Sequence, residues 1–201
     1  MLIVQKFGGS SIADGDRLRR AAGICMRQRQ NGNEVVVVVS AMGDTTDLLA
    51  DRARVLGGKP SPREMDALIT TGEQQSAALL VMTMESLGIP AVSLAGWQAG
   101  IYTDCRYGDS DIRLIAPVRI REALGRGRVP VVTGFQGVCA AGDITSLGRG
   151  GSDTTAVALA AALESDCCEI YTDVDGIYTA DPRLIPDAVK LSAIDYRDML
   201  A

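Results

Sequence analysis

The sequence predicts an α/β protein built on a mostly parallel sheet flanked by helices. Three observations carry this. Short apolar runs alternate with segments of helical spacing along the chain. One run, Val35 to Val39, is five consecutive valines, which suits a central parallel strand covered on both faces. Four strand-like runs stop in a glycine-bearing loop, at Gly8, Gly43, Gly134 and Gly176. Open α/β sheets bind their ligands at such carboxyl ends, so the candidate residues fall on one edge.

The elements follow in order. Leu2 to Lys6 reads as a short buried strand ended by Gly8-Gly9-Ser10-Ser11. Asp14 to Gln30 has helical spacing, with Leu18, Ala21, Ala22, Cys25 and Met26 on one side and arginines on the other, and Asn31-Gly32-Asn33 stops it. The valine strand ends at Ser40-Ala41-Met42-Gly43-Asp44, and Thr45 or Thr46 opens the next helix. Helical pattern returns from Pro62 to Leu87, with a break expected at Gly72. Ala91 to Leu94 is a short strand. Gly96 to Asp111, which holds Trp97, Tyr102 and Tyr107, has no clear pattern. Pro117 to Arg126 is a helix, and Val129 to Thr133 a strand ending in Gly134-Phe135-Gln136-Gly137. Ala156 to Leu163 is an Ala/Val/Leu helix. Glu169 to Thr172 is a strand ending in Asp173-Val174-Asp175-Gly176, Ile177 to Pro186 a loop, and Asp195 to Ala201 the opening of a helix. One domain over residues 1–201 is the simplest expectation. A helix that opens in the last seven residues reads as a chain cut inside a longer protein.

Composition narrows the function. With 201 residues, 47% apolar and 22% charged, the chain can build a sizeable core. It has no apolar run of membrane-spanning length and no signal-peptide pattern, so a cytoplasmic location without a membrane partner is expected. A net charge of −5 leaves no basic surplus for a nucleic-acid polymer, although local cations can hold one nucleotide. The five cysteines, an odd number with no C-x-x-C, are expected as small buried or half-buried thiols rather than a disulfide framework. The count of histidines is zero, which excludes Ser-His-Asp and Cys-His catalysis and histidine metal sites. Lys, Arg, carboxylates, hydroxyls and backbone amides must carry the chemistry.

The strongest motif is Leu147-Gly148-Arg149-Gly150-Gly151-Ser152-Asp153, directly ahead of the Ala/Val/Leu helix. A glycine loop feeding a helix N-terminus directs free N–H groups and the helix dipole at one spot, which favours an anion. Arg149 adds a bidentate partner for carboxylate or phosphate. The plainer reading is a glycine turn with Ser152 or Asp153 as helix cap. Lys6-Phe7-Gly8-Gly9-Ser10-Ser11 suggests a phosphate loop, but not a Walker A loop, because the lysine precedes the glycines. Ser40 to Asp47 fits either a ligand loop or ordinary capping. Glu73, after Gly72 in a helical region, is either a partner for an ammonium or a solvated glutamate. Tyr171 to Arg183 mixes aromatics, carboxylates and Arg183 as a nucleotide segment would. Asp173 and Asp175 raise a metal pair, though not an EF-hand.

Taken together, and in this order, Lys6 to Ser11, Ser40 to Asp47, Thr71-Gly72-Glu73, Gly134 to Gly137, Leu147 to Thr155 and Tyr171 to Arg183 resemble the aspartate kinase family of the amino-acid kinase superfamily. The resemblance implies a three-layer α/β sandwich of the amino-acid kinase type, with the chain as a C-terminally incomplete catalytic domain that lacks ACT domains. It implies transfer of the ATP γ-phosphoryl group to the side-chain carboxylate of L-aspartate, the first step towards lysine, threonine, methionine and diaminopimelate. By that resemblance Lys6 and Asp153 are catalytic, and Thr46, Glu73, Arg149, Gly150, Gly151 and Ser152 bind substrate. Lys6, Phe7, Gly8, Gly9, Ser40, Ser152, Thr172, Asp173, Tyr178, Asp181 and Arg183 bind ATP. Mg²⁺ rides on the phosphates with its protein ligands unassigned, and the full-length form is a homo-oligomer. The competing readings are another superfamily member, acting on glutamate, N-acetylglutamate, carbamate or UMP, and a non-catalytic nucleotide-binding fragment or subunit.

Overall fold

The computed structural model of the chain describes residues 1–174, 176, 178–180, 184, 185 and 187–195. They fall into two compact units, Met1–Tyr171 and Thr172–Ala201.

The first unit is built on a five-stranded, wholly parallel sheet. Its strands are β1 (Leu2–Phe7), β2 (Glu34–Val39), β3 (Ala91–Leu94), β6 (Val129–Thr133) and β9 (Cys167–Tyr171), in the order β3-β6-β2-β1-β9. The valine run behaves as its composition requires. Successive side chains of a strand point to opposite faces, so Val35, Val37 and Val39 join one core and Val36 and Val38 the other. On the first face, α1 (Gly15–Gln30) contributes Leu18, Ala21, Ala22 and Cys25, and α4 (Thr71–Ser86) contributes Ala77, Leu80, Val81 and Met84. On the second, α5 (Val118–Gly125) contributes Ile120, and α6 (Gly151–Leu163) contributes Ala156, Leu159 and Leu163. Helix, sheet and helix make the three-layer sandwich. The chain also forms α2 (Thr45–Arg54) and α3 (Pro62–Ile69), which pack on one another beyond the C-terminal edge of the sheet.

A second sheet departs from the expected architecture. β4 (Ile101–Thr103), β5 (Ile112–Ile115), β7 (Gln136–Cys139) and β8 (Ile144–Ser146) form a mixed four-stranded sheet in the order β5-β4-β7-β8. Its strands are short, and β7 reads Gln-Gly-Val-Cys, so neither length nor alternation marks them. The patternless region Gly96 to Asp111 therefore holds a strand, and Gln136-Gly137 opens one instead of belonging to a loop. Gln136 is fully buried because its side-chain amide donates to Thr70 O at 2.8 Å.

Two local expectations are corrected. The helical break falls at Thr70, between α3 and α4, not at Gly72. Gly72 continues the helix and is a packing glycine: a Cβ there would lie 2.9 Å from Ala41 Cβ. Cys105 and Cys139 are joined by a disulfide with Cα atoms 5.2 Å apart. The parallel pairing of β4 with β7 sets Thr103 opposite Cys139 and so brings Cys105 alongside, a proximity no spacing in sequence announces. Cys25, Cys167 and Cys168 are free thiols, and burial pushes the Cys25 thiol up to about 12.

In the second unit Tyr178 and Lys190 form an isolated antiparallel bridge, and Thr179 N–H donates to Val189 O at 3.0 Å. The expected helix from Asp195 lies, but for that residue, outside the described residues. No helix among the described residues is long and apolar enough to cross a membrane.

Leu159→Ala, at a fully buried position of the second core, is expected to cost about 2–5 kcal/mol in a denaturant titration.

Candidate active site

The cleft forms where β1, β2 and β6 end. Lys6 stands one residue before the end of β1, a strand buried on both faces, and is 7% exposed. A buried ammonium needs an anion, and Asp153, in the first turn of α6, supplies one at 2.7 Å from Lys6 Nζ. After β1 the chain turns sharply. Gly8 N–H donates to Tyr171 O at 3.0 Å, and Ser11 Oγ donates to the same carbonyl at 3.3 Å. Gly9 follows where a Cβ would run into Ala41 O, so only glycine lets the two strand-end loops meet. Gly43 N–H donates to Gly9 O at 3.1 Å and ties those loops together. At the end of β6 a Cβ on Gly134 would lie 2.7 Å from Ser152 Oγ, which brings that loop against the start of α6.

Two helix N-termini open into this space without side-chain caps. Asp44 before α2 and Gly150 before α6 both lack a capping hydrogen bond, whereas Asp14 caps α1 and Ser61 caps α3. The Ser, Thr and Asp residues beside the cleft are therefore not there as caps. Thr45 Oγ1, for instance, donates to Met42 O at 2.6 Å. Uncapped first-turn N–H groups and the positive end of each helix favour an anion in front of them. Arg149 sits exposed between Gly148 and Gly150, both at φ +71°, with no ion-pair partner among the described residues.

Glu73 is the opposite case. It is 3% exposed in the first turn of α4. Ala41 N–H donates to its Oε1 at 3.1 Å, while Oε2 is buried without a partner. Burial pushes its carboxyl up to about 7. A buried carboxylate with one empty oxygen in a cleft calls for a cationic ligand atom, and the solvated-glutamate reading is overturned.

The cleft encloses about 380 Å³. It brings together Lys6, Gly9, Ser40, Thr46, Glu73 and the run Arg149 to Asp153, all singled out from sequence. Phe7 and Gly8 are not among its walls. The Phe7 ring is buried and stacked on Tyr171 at a centroid distance of 4.8 Å. Thr172, Asp173 and Tyr178 belong to the second unit, where Thr172 Oγ1 donates to Asp173 Oδ1 at 3.1 Å. Asp175, Asp181 and Arg183 lie outside the described residues. Sequence reasoning missed Ala41, Gly43, Phe135 and Gly148 as walls. Phe135 holds a left-handed backbone at φ 66°, a strain of about 1–3 kcal/mol for a non-glycine residue. It is retained by bonds from its N–H to Thr155 Oγ1 at 3.1 Å and from Leu147 N–H to its carbonyl at 2.9 Å. Its position directly after Gly134, the glycine that ends β6, was the available signal. A larger, more apolar hollow of about 780 Å³ adjoins the cleft and shares Thr46, Phe135, Gly148 and Arg149 with it.

A parallel sheet whose strand-end loops assemble lysine, arginine and uncapped helix starts favours an anionic ligand, and the amino acid kinase family pattern matches residues 1–201. The chain belongs to the amino acid kinase family. Within that family it is 56% identical over 200 residues to an aspartokinase of Mycolicibacterium smegmatis, covering 99% of this chain and 48% of that protein. The chain thus spans about half the length of the curated relatives it matches. Among solved structures, an aspartate kinase from Synechocystis superposes with a TM-score of 0.80 at 50% identity, over 94% of this chain and 31% of that one. E. coli aspartokinase III in complex with aspartate and ADP superposes with a TM-score of 0.85 at 28% identity, over 95% and 53% of the two chains.

Because its carboxyl titrates near 7 in the fold rather than at the ordinary value, Glu73 holds its proton in the native state over a range where the unfolded chain has lost it. Its contribution to stability therefore falls as pH rises from the ordinary carboxylate range through about 7. Glu73→Gln is expected to melt at a temperature that gains on the wild type between pH 5 and pH 8, read in parallel thermal melts at about those two values. A constant difference would contradict the assignment.

Proposed function

We propose that this chain binds L-aspartate and the phosphates of Mg-ATP in the cleft and serves transfer of the γ-phosphoryl group to the aspartate side chain, giving 4-phospho-L-aspartate and ADP. The observation that carries the reading is the pairing of opposite needs in one cleft. Glu73 offers a buried carboxylate oxygen without a hydrogen-bond partner, and Arg149 a guanidinium without an ion pair, among the described residues. An amino acid presents the complementary ammonium and carboxylate. The high identity to aspartokinases, and the aspartate and ADP bound by the E. coli neighbour, support aspartate and a nucleotide as the ligands.

The chemistry asks little of a general base. The aspartate side chain is ionised at neutral pH. One of its oxygens forms a bond to the γ-phosphorus as the bond to the β-phosphate oxygen of ADP breaks, and no proton moves. The barrier lies in bringing two anions together and in neutralising the transferred group. On this reading Lys6, the Gly9 loop and the uncapped start of α6 serve the phosphate, and Thr46, Glu73, Arg149 and the Gly150-Gly151-Ser152 turn serve the amino acid. Asp153 orients Lys6. Ser40, in the wall of the cleft, is read as serving the nucleotide, with Phe7 and Gly8 shaping the turn at the end of β1. Magnesium enters as part of the substrate. It characteristically keeps several waters and is held through phosphate oxygens, and no cluster of three or more His, Cys, Asp or Glu side chains occurs among the described residues. On the same reading the product feeds lysine, threonine, methionine and diaminopimelate synthesis, the protein works in the cytoplasm, and its full-length form is a homo-oligomer.

The test is ADP release from Mg-ATP by the chain with L-aspartate, L-glutamate, N-acetylglutamate, UMP or no acceptor. Weak release is expected from this chain alone, and whatever release occurs is expected to depend on L-aspartate. In calorimetry, Arg149→Ala is expected to weaken L-aspartate binding about tenfold to a hundredfold, the loss of a charge-assisted bond. Equal response to glutamate or UMP, or wild-type affinity in Arg149→Ala, would overturn the assignment.

A further inference from the structure

Arg149 lies at the shared wall of two hollows, in a turn closed by Gly151 N–H donating to Gly148 O at 3.1 Å. Gly148 and Gly150 on either side both have left-handed backbones, which glycine adopts readily, so the turn needs glycine at both places. The arginine carries no ion pair among the described residues. The larger hollow next to the cleft is open to the same side chain. Something upstream must set the loop.

That anchor is a buried carboxylate on α3. Asp66 is 1% exposed and has no cation partner among the described residues. Its charge is met by hydrogen bonds alone. Oδ2 accepts from Ser146 N–H and from Gly108 N–H, each at 2.9 Å, and Oδ1 accepts from Ser146 Oγ at 2.8 Å. Ser146 is the last residue of β8, three positions before Arg149, and is itself 1% exposed. Gly108 belongs to the loop on the far side: Ser110 N–H donates to Ser146 O at 2.9 Å, and a Cβ on Gly148 would lie 2.5 Å from Asp109 Oδ1. One carboxylate therefore clamps both loops around Gly148. The same α3 continues through Thr70, whose carbonyl accepts from Gln136, into the turn that carries Glu73.

We propose that Asp66 is a positioning residue for the amino-acid substrate: it fixes the start of the Arg149 loop, so that the guanidinium is held at the wall of the cleft within reach of the ligand. The substrate side of this inference rests on the reading of the cleft as an aspartate site. The loop side does not.

The experiment uses the 201-residue chain in wild-type, Asp66→Ala, Asp66→Asn and Ser146→Ala forms. Hydrogen–deuterium exchange is followed in peptides covering Ser146 to Gly151, with peptides of α1 as reference, and L-aspartate binding is measured by calorimetry. Asparagine can keep the arrangement, its oxygen accepting both N–H groups and its amide donating to Ser146 Oγ. The expected result is faster exchange confined to the Arg149 loop in Asp66→Ala, a smaller effect in Ser146→Ala, and near-rescue in Asp66→Asn. L-aspartate should bind about tenfold or more weakly in Asp66→Ala, with no further loss when Arg149→Ala is added. If Asp66→Ala fails to fold, Ser146→Ala and Asp66→Asn carry the comparison. Unchanged loop exchange, or exchange raised equally in α1, would overturn the proposal. Wild-type protein that binds no aspartate but shows the loop-confined exchange would sink the functional reading and leave the clamp standing. Loop exchange without loss of aspartate affinity would reject the positioning role.

Discussion

The site depends on one ion pair, Lys6 with Asp153. β1 is buried on both faces, and a lysine near its end is tolerable only with an anion at hand. That anion comes from the first turn of α6, where an acidic side chain also suits the helix dipole. The lysine is buried but the Asp153 side chain is half exposed, so solvent screens the pair and it is weak evidence for stability. Its consequence is geometric. It joins the end of the central strand to the start of the glycine-led helix, so the lysine and the electropositive helix terminus meet at one place. The glycines at 9, 134 and 151 follow from this closeness, since each faces a neighbouring loop where a Cβ would collide.

Around the pair, the cleft forgoes local stability. A side-chain cap is worth about 1 kcal/mol to a helix, and α1 and α3, which start with Asp14 and Ser61, have theirs. The starts of α2 and α6 do not, nor do those of α4 and α5, while at the cleft Phe135 holds a left-handed backbone and Glu73 leaves one oxygen without a partner among the described residues. Each cost is of a kind that a bound ligand removes: an anion in front of the helix starts, an ammonium against Glu73. Strain and unmet polar groups gathered at one sheet edge, in an otherwise well-packed sandwich, mark where binding energy is to be recovered.

The central sheet was legible because its strands obey a local rule. Val35 to Val39 cannot face water on either side, and β1 and β6 each end directly before a glycine, Gly8 and Gly134. The second sheet was not legible. β4 and β8 have three residues each, and β7 begins with a buried glutamine whose place depends on the Thr70 carbonyl, far away in sequence. The same contrast runs through the site. Lys6, Arg149 and Asp153 announce themselves by sitting among glycines. Glu73 looked like an ordinary helical glutamate until the fold buried it behind Ala41. Asp66 carried no signal at all, because a carboxylate on a short helix reads as solvated until tertiary structure supplies three donors. The Cys105–Cys139 bridge is likewise a product of strand pairing, invisible in spacing.

The central claim is that one cleft, walled by Glu73 and Arg149, receives L-aspartate. The most direct test is a backbone-amide NMR titration of the isotopically labelled chain with L-aspartate. Shifts concentrated at Ala41, Thr46, Glu73 and the Gly148 to Ser152 turn, saturating together, are the result this account requires. Shifts that scatter over the surface, or that gather away from the C-terminal edge of the sheet, would contradict it.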